Sequence, residues 1–239
     1  MSLEQDATVT ALVARKTPRV AVGLAVDLAE RLAVLALFAL FVHRLLPRFI
    51  GLVAIEHVYP QLVWQAADVN AQLVLLIVAE ALGVARILMR RRSATLPAHP
   101  LDWGLSFGAV SLPLLFTAPA APGALIPAWL ATALMLLGLL TQIAVKLALA
   151  RSFGVVPANR GVKTRGPYRL LRHPLYAGYT LTHIGFLLGF QSLSNALLYG
   201  VVLAVEVARI LREEAVLGGD PAYGAYTSRV RYRLLPGVF

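Results

Sequence analysis

The sequence predicts an all-α integral membrane protein with about six transmembrane helices. Its 239 residues are 59% hydrophobic and only 14% charged, whereas soluble domains are about half apolar and a quarter charged. Several apolar runs reach the length of roughly 20 residues that a membrane-spanning helix needs. Lys and Arg are concentrated between these runs. Most of the chain is therefore assigned to the membrane, which leaves no room for a large soluble domain.

Six apolar runs are predicted to be the membrane helices. They cover residues 20–42, 62–89, 101–118, 125–150, 175–190 and 196–211. Five spans are the alternative, because the first run could be interfacial. Pro113 is acceptable within the third run, since neighbouring helices or water can satisfy a freed carbonyl in a membrane. The last two runs predict a C-terminal helical hairpin around an uncharged turn at 191–195, ended by Gly218-Gly219.

Ionisable side chains lie within several of the apolar runs. In the first run three of them lie about one helical turn apart and are predicted to pair on one face: Asp27, Glu30 and Arg31. Glu80 and Arg86 are expected to face protein or solvent, because charged groups avoid lipid. Lys146, near the end of the fourth run, is expected to extend toward the headgroups.

The distribution of positive charge predicts the topology. Of the 22 Lys and Arg residues, 17 lie before the first run, at 90–92, in 151–172 or from 209 onward. Only Arg44 and Arg48 belong to connections on the opposite side. This asymmetry predicts that both termini are cytoplasmic, with residues 1–18 a retained tail and Arg90 to Arg92 a cytoplasmic stop. Topology explains the net charge of +10, so nucleic acid is not an expected partner.

The candidate chemistry lies in the C-terminal part of the chain. Residues 151–172 form a cationic loop with glycine and proline breakers, and its simplest interpretation is a connection that touches anionic headgroups. Ionisable residues at offsets of three and four lie at the end of the last run and directly after it. They favour a pocket instead: Glu206, Arg209, Glu213 and Glu214. Tyr223, Tyr226 and Tyr232 are interpreted as interfacial anchors. With no Cys, thiolate chemistry is excluded.

An ordered set of motifs resembles the isoprenylcysteine carboxyl methyltransferase family. The motifs are Arg-Ser-Phe-Gly-Val-Val at 151–156, Gly-Pro-Tyr-Arg-Leu-Leu-Arg-His-Pro-Leu-Tyr at 166–176, Arg-Glu-Glu-Ala-Val-Leu at 212–217, Tyr-Gly-Ala-Tyr at 223–226 and Arg-Leu-Leu-Pro-Gly at 233–237. The resemblance implies a membrane methyltransferase that binds S-adenosylmethionine in a cytoplasm-facing pocket and takes a lipophilic or prenylated substrate from the bilayer. It divides the chain into N-terminal helices at 1–150, on the lipid-substrate side, and a catalytic region at 151–239.

The resemblance also implies which residues form the site. Those expected to bind the cofactor are Arg160, Gly161, Val162, Lys163, Tyr168, His173, Pro174, Leu175, Tyr176 and Glu213. Arg209 corresponds to the family's substrate-side arginine, and Arg209 and Glu213 are the expected catalytic pair. The loop after Val156 is short and lacks a glutamine that the family has near Pro157. No metal site is expected.

Carboxyl O-methylation of an isoprenylcysteine-like acceptor is the leading functional hypothesis. A carboxylate is already ionised near neutral pH and needs no base, and Arg209 could orient it. The alternatives are a phospholipid amine N-methyltransferase, with Glu213, Glu214 or His173 as base, and an NADPH-dependent sterol reductase, whose family looks similar here. A transporter or scaffold with Asp27, Glu80 and Arg86 along a path is a further alternative.

Overall fold

A computed structural model describes residues 24–47, 50–51, 63–91, 99–117 and 125–239. The helices are α1 at 24–47, α2 Val63–Met89, α3 Pro100–Ser111, α4 Ala128–Leu149, α5 Pro174–Gly189, α6 Leu193–Leu217 and α7 Pro221–Thr227. These described ranges contain no β-strand, which confirms the all-helical prediction for them. The predicted N-terminal tail and Arg92 lie outside the described residues.

Within the described residues, three helical stretches are long and apolar enough to cross a membrane. They are Ala71–Met89, Ala128–Ser152 and Leu193–Leu217. Helices α3 and α5, with 12 and 16 residues, are shorter than the roughly 20 residues of a typical span. Membrane association is thus supported, while six spans and the cytoplasmic orientation stay predictions.

Helix boundaries differ from the predicted runs where a proline or a capping side chain intervenes. The third run is helical only to Ser111 and continues as a 3₁₀ turn at Leu112–Leu115, because Pro113 has no N–H to donate. Helix α6 begins at Leu193, within the predicted turn, since the Ser192 hydroxyl caps it by accepting from the Asn195 amide. It ends at Leu217, directly before the predicted stop at Gly218-Gly219.

Helix α5 packs most closely on α4, and glycine makes that contact possible. A Cβ on Gly138 would lie 2.6 Å from the Thr182 amide nitrogen, and one on Gly185 would lie 2.9 Å from the Met135 amide nitrogen. Small residues allow membrane helices to approach in this way. Gln142 Nε2 also donates to Thr182 Oγ1 at 3.0 Å. The α4–α5 pair is therefore a firm platform for the loop and helix start that carry the candidate site.

The prediction that Lys146 extends toward the headgroups is wrong. Lys146 is only 1% exposed, and its Nζ donates to the Ala79 carbonyl and the Glu80 carboxylate, each at 2.9 Å. Gly83 provides the space, because a Cβ there would lie 3.4 Å from Nζ. Glu80 faces protein, as predicted, and the ion pair joins α2 to α4.

Arg90, the first arginine of the predicted cytoplasmic stop, is buried against other parts of the protein. It is 4% exposed and forms ion pairs with Asp27 and with Glu30, the latter at 2.6 Å. The predicted pairing on one face of α1 holds for Arg31 and Asp27, at 2.9 Å. Glu30 instead points toward Arg90 and the loop after α4, since a buried carboxylate needs donors from other elements.

Candidate functional site

A cleft of about 880 Å³, partly open to solvent, lies between the loop after α4, the start of α5, the end of α6 and α7. Most residues predicted to form the site line it: Arg160, Gly161, Val162, Lys163, Tyr168, His173, Leu175, Tyr176, Arg209 and Glu213. Pro174 does not line the cleft.

The start of α5 is held in place by the C-terminal segment. The Arg172 and His173 amides donate to the Tyr232 and Arg233 carbonyls, both at 2.9 Å. Pro174 then occupies the first helical position, where a residue without an N–H loses nothing. The contribution of Pro174 is thus to begin the helix, and the neighbouring His173 and Tyr176 project side chains into the cleft wall.

The two adjacent carboxylates of α6 have different surroundings. Glu214 accepts from Arg233 at 2.8 Å and lies 3.3 Å from both Arg172 and His173 Nε2. It does not line the cleft. Since three basic groups surround it, Glu214 is a structural anchor that ties α6 to the segments around 172 and 233, and it is poorly placed to act as a base.

Glu213 lines the cleft and contacts three neighbouring side chains. Its Oε1 accepts from the Tyr176 hydroxyl at 2.6 Å and lies 3.5 Å from Arg209 Nε, while its Oε2 lies 3.7 Å from His173 Nδ1. The predicted sharing of one helix face by Arg209 and Glu213 is confirmed by this contact. Tyr176 and Arg209 hold the carboxylate at the cleft surface, where it can accept from a bound cation or N–H group.

Arg209 is a buried cation whose position is strongly restrained. It is 7% exposed, its Nη2 donates to the Val155 carbonyl, and its guanidinium lies 5.4 Å from the centre of the Tyr176 ring. Its Nε has no hydrogen-bond partner among the described residues. Nε instead faces Glu213 Oε1 at 3.5 Å. A restrained cation that lines the cleft is suited to orient a polar group there.

Arg160, in the loop after α4, provides a second cation that lines the cleft. It is 9% exposed, and burial, followed by repulsion from Arg90, lowers the pKa of its guanidinium to about 10, so it is charged at neutral pH. Its Nε and Nη2 lack hydrogen-bond partners in the described part of the chain. The side chain packs over Gly154, where a Cβ would lie 2.3 Å from Arg160 Nη1.

Glu30 supports this wall of the cleft and was not among the predicted site residues. It is fully buried, and its Oε1 accepts from the Val155 and Val156 amides at 3.1 Å each. Its other oxygen lies 3.8 Å from Arg160 Nη2. The signal available in the sequence was an acidic residue in an apolar run, but its partners lie about 125 positions away and could not be identified from spacing.

Tyr223 and Tyr226 also line the cleft, so their prediction as interfacial anchors is wrong. They are 6% and 2% exposed. The Tyr226 hydroxyl donates to the Tyr168 and Leu171 carbonyls at 2.8 and 3.1 Å, and burial raises its pKa to about 12. The hydroxyl therefore remains a neutral donor at neutral pH and fixes the turn that carries Tyr168.

Comparison with known proteins bears on the class of this site. Residues 126–220 match the model of the phospholipid methyltransferase family. No curated protein matches the chain. The matched region contains α4, the cationic loop, α5 and α6, and so most of the cleft. The match indicates a membrane methyltransferase that uses S-adenosylmethionine and acts on a lipid-type substrate.

Proposed function

We propose that this protein transfers the methyl group of S-adenosylmethionine to a lipid acceptor at the membrane surface, with Arg209 and Glu213 as the catalytic pair. The observation that carries the proposal is the cleft, which combines buried cations, a carboxylate and aromatic rings at the end of the apolar helix α6. The matched family region covers the elements that build it.

The charges of the cleft fit the cofactor. Arg160 has two buried nitrogens that make no hydrogen bond within the described residues, and its guanidinium suits the carboxylate of the methionine moiety. Glu213 suits the amino group or the sulfonium, because each carries positive charge. Tyr168 and Tyr176 offer aromatic faces for a cation. When bound there, S-adenosylmethionine would supply an electrophilic methyl group on sulfur.

The contribution of the chain is positioning and exclusion of water. Glu213 and Arg160 would hold opposite ends of the cofactor, and Arg209, fixed by the Val155 carbonyl and the Tyr176 ring, would orient the acceptor. Alignment of two reactants alone lowers a barrier substantially. No enzyme nucleophile is needed, in keeping with a chain without Cys.

Two acceptor classes each have an observation in their favour. An isoprenylcysteine-like carboxylate is favoured by the buried Arg209 guanidinium that lines the cleft. A phospholipid amine is favoured by the family match, and it would have to lose a proton to a base. Glu213 is then the better candidate, since it lines the cleft and Glu214 does not.

Incubation of the purified protein with radiolabelled S-adenosylmethionine and a total lipid extract tests the proposal. We expect labelled lipid, with base-labile label from a methyl ester and base-stable label from a methylated amine. Arg209→Ala and Glu213→Ala should each abolish labelling while the protein stays folded. Arg212→Ala is the matched control, because Arg212 pairs with Asp102 at 2.6 Å and does not line the cleft. Tight NADPH binding without S-adenosylmethionine binding would refute the proposal.

A further inference from the structure

A second, shallower cleft adjoins the first and is dominated by arginine. We call it the arginine cleft; it encloses about 810 Å³, largely open to solvent, and is lined by Thr164, Arg165, Arg169, Tyr226, Arg229 and Val230. Tyr226 also lines the candidate cofactor cleft, so the two clefts share a wall. The methyl-transfer proposal makes no use of these three arginines.

The arginine-bearing segments are fixed relative to each other. Tyr226 donates from α7 to the Tyr168 and Leu171 carbonyls, and Arg172 Nε donates to the Val230 carbonyl at 2.7 Å. Gly166, with φ of +63°, makes the turn between Arg165 and the 3₁₀ segment Gly166–Arg169. The backbone segments around the cleft are therefore held together, and the exposed side chains of Arg165, Arg169 and Arg229 extend from them.

The positive charge of the arginine cleft is not balanced by the protein around it. Within the described residues, Arg165, Arg169 and Arg229 form no ion pair with a carboxylate, and Arg229 uses only Nε, on the Ala225 carbonyl at 3.1 Å. The nearby Glu214 is already surrounded by Arg172, His173 and Arg233. Three guanidinium groups around one concavity repel each other, and a shared anion with several acceptor oxygens removes that repulsion.

The neighbouring surface favours a lipid over a soluble anion. Leu170, next to Arg169, is 76% exposed, and water gives such a large apolar side chain no favourable contact. A basic cleft beside an exposed leucine, in a chain with membrane-spanning helices, matches a headgroup phosphate above acyl chains. We propose that the arginine cleft binds the phosphate of an anionic phospholipid of the surrounding leaflet, separately from the methyl acceptor.

Lipid retention tests this proposal without any measurement of methyl transfer. The full-length protein is reconstituted in nanodiscs of phosphatidylcholine containing phosphatidylglycerol, extracted, and analysed by native mass spectrometry for retained phosphatidylglycerol. The cleft variant is Arg165→Gln/Arg229→Gln. The control is Arg91→Gln/Arg231→Gln, which removes the same charge from exposed arginines outside the arginine cleft.

We expect the cleft variant to bind phosphatidylglycerol roughly 30-fold more weakly, since each basic residue near an anionic surface strengthens binding about fivefold, while the control keeps wild-type retention. Equal loss in both variants would reduce the effect to net charge and overturn the proposal, as would full retention in the cleft variant. Displacement of the lipid by glycerol phosphate as effectively as by phosphatidylglycerol would show a soluble-phosphate site instead.

Discussion

Replacement of Glu30 tests whether this residue stabilises the wall of the candidate cofactor cleft. Glu30 is a fully buried carboxylate that pairs with Arg90 at 2.6 Å and accepts from the Val155 and Val156 amides. Glu30→Gln keeps the shape and one acceptor oxygen but removes the charge. Loss of one partner of a buried ion pair costs about 3–5 kcal/mol. The lower end applies here, because Asp27 still pairs with Arg90.

In Glu30→Gln, a loss of about 3 kcal/mol of local stability should make opening of the cleft wall at Val155 and Val156 roughly 150-fold more frequent. Hydrogen exchange of the Val155 and Val156 amides measures that opening directly, and S-adenosylmethionine affinity should fall with it. Glu80→Gln is the control, because it weakens another buried ion pair, to Lys146 at 2.9 Å, without contact with this wall. Unchanged exchange at both amides in Glu30→Gln, or an equal change in Glu80→Gln, would refute the reasoning.

Three further predictions concern single positions. Gly154→Ala should weaken S-adenosylmethionine binding by roughly tenfold in titration, because the new Cβ would lie 2.3 Å from Arg160 Nη1 and displace a charged donor. Gly138→Ala should destabilise the folded protein by about 1–3 kcal/mol in thermal unfolding, because its Cβ would overlap backbone atoms of α5. The hydrogen bonds from Asn159 and the Ala222 amide hold the pKa of Asp220 below 3.8. The stabilisation of α7 by the charged Asp220 carboxylate is therefore present above pH 3.8 and is lost as pH falls through the lowered pKa. Amide hydrogen exchange in α7 should increase at low pH in the wild-type protein but not in Asp220→Asn, and this result would confirm the pH dependence.

Much of the candidate site could be predicted from sequence because its residues lie in short segments with strong local constraints. The cationic loop with its glycine and proline breakers had to be a connection, and the offset of four between Arg209 and Glu213 placed them on one helix face. The motifs around His173 and Tyr176 identified the remaining wall. Their roles in binding and catalysis stay predictions, but the cleft that they line is observed.

Other features depended on contacts between distant segments. Local spacing did not show that Glu213 lies in the cleft while Glu214 is enclosed by basic groups. Adjacent residues on a helix point in different directions, and the partners of these two carboxylates come from other segments. The same holds for Tyr226, whose burial requires carbonyls at 168 and 171.

The amino-acid sequence by itself determined the all-helical membrane architecture and the segment that carries the chemistry, because hydrophobic length and helical spacing are local properties. The tertiary structure decided where the buried charges go. Lys146 was expected at the headgroups and Arg90 in a cytoplasmic stop, and the structure buries both beside carboxylates of other helices. A charge in an apolar setting is stable only with a partner, and the identity of that partner is decided by which helices pack together.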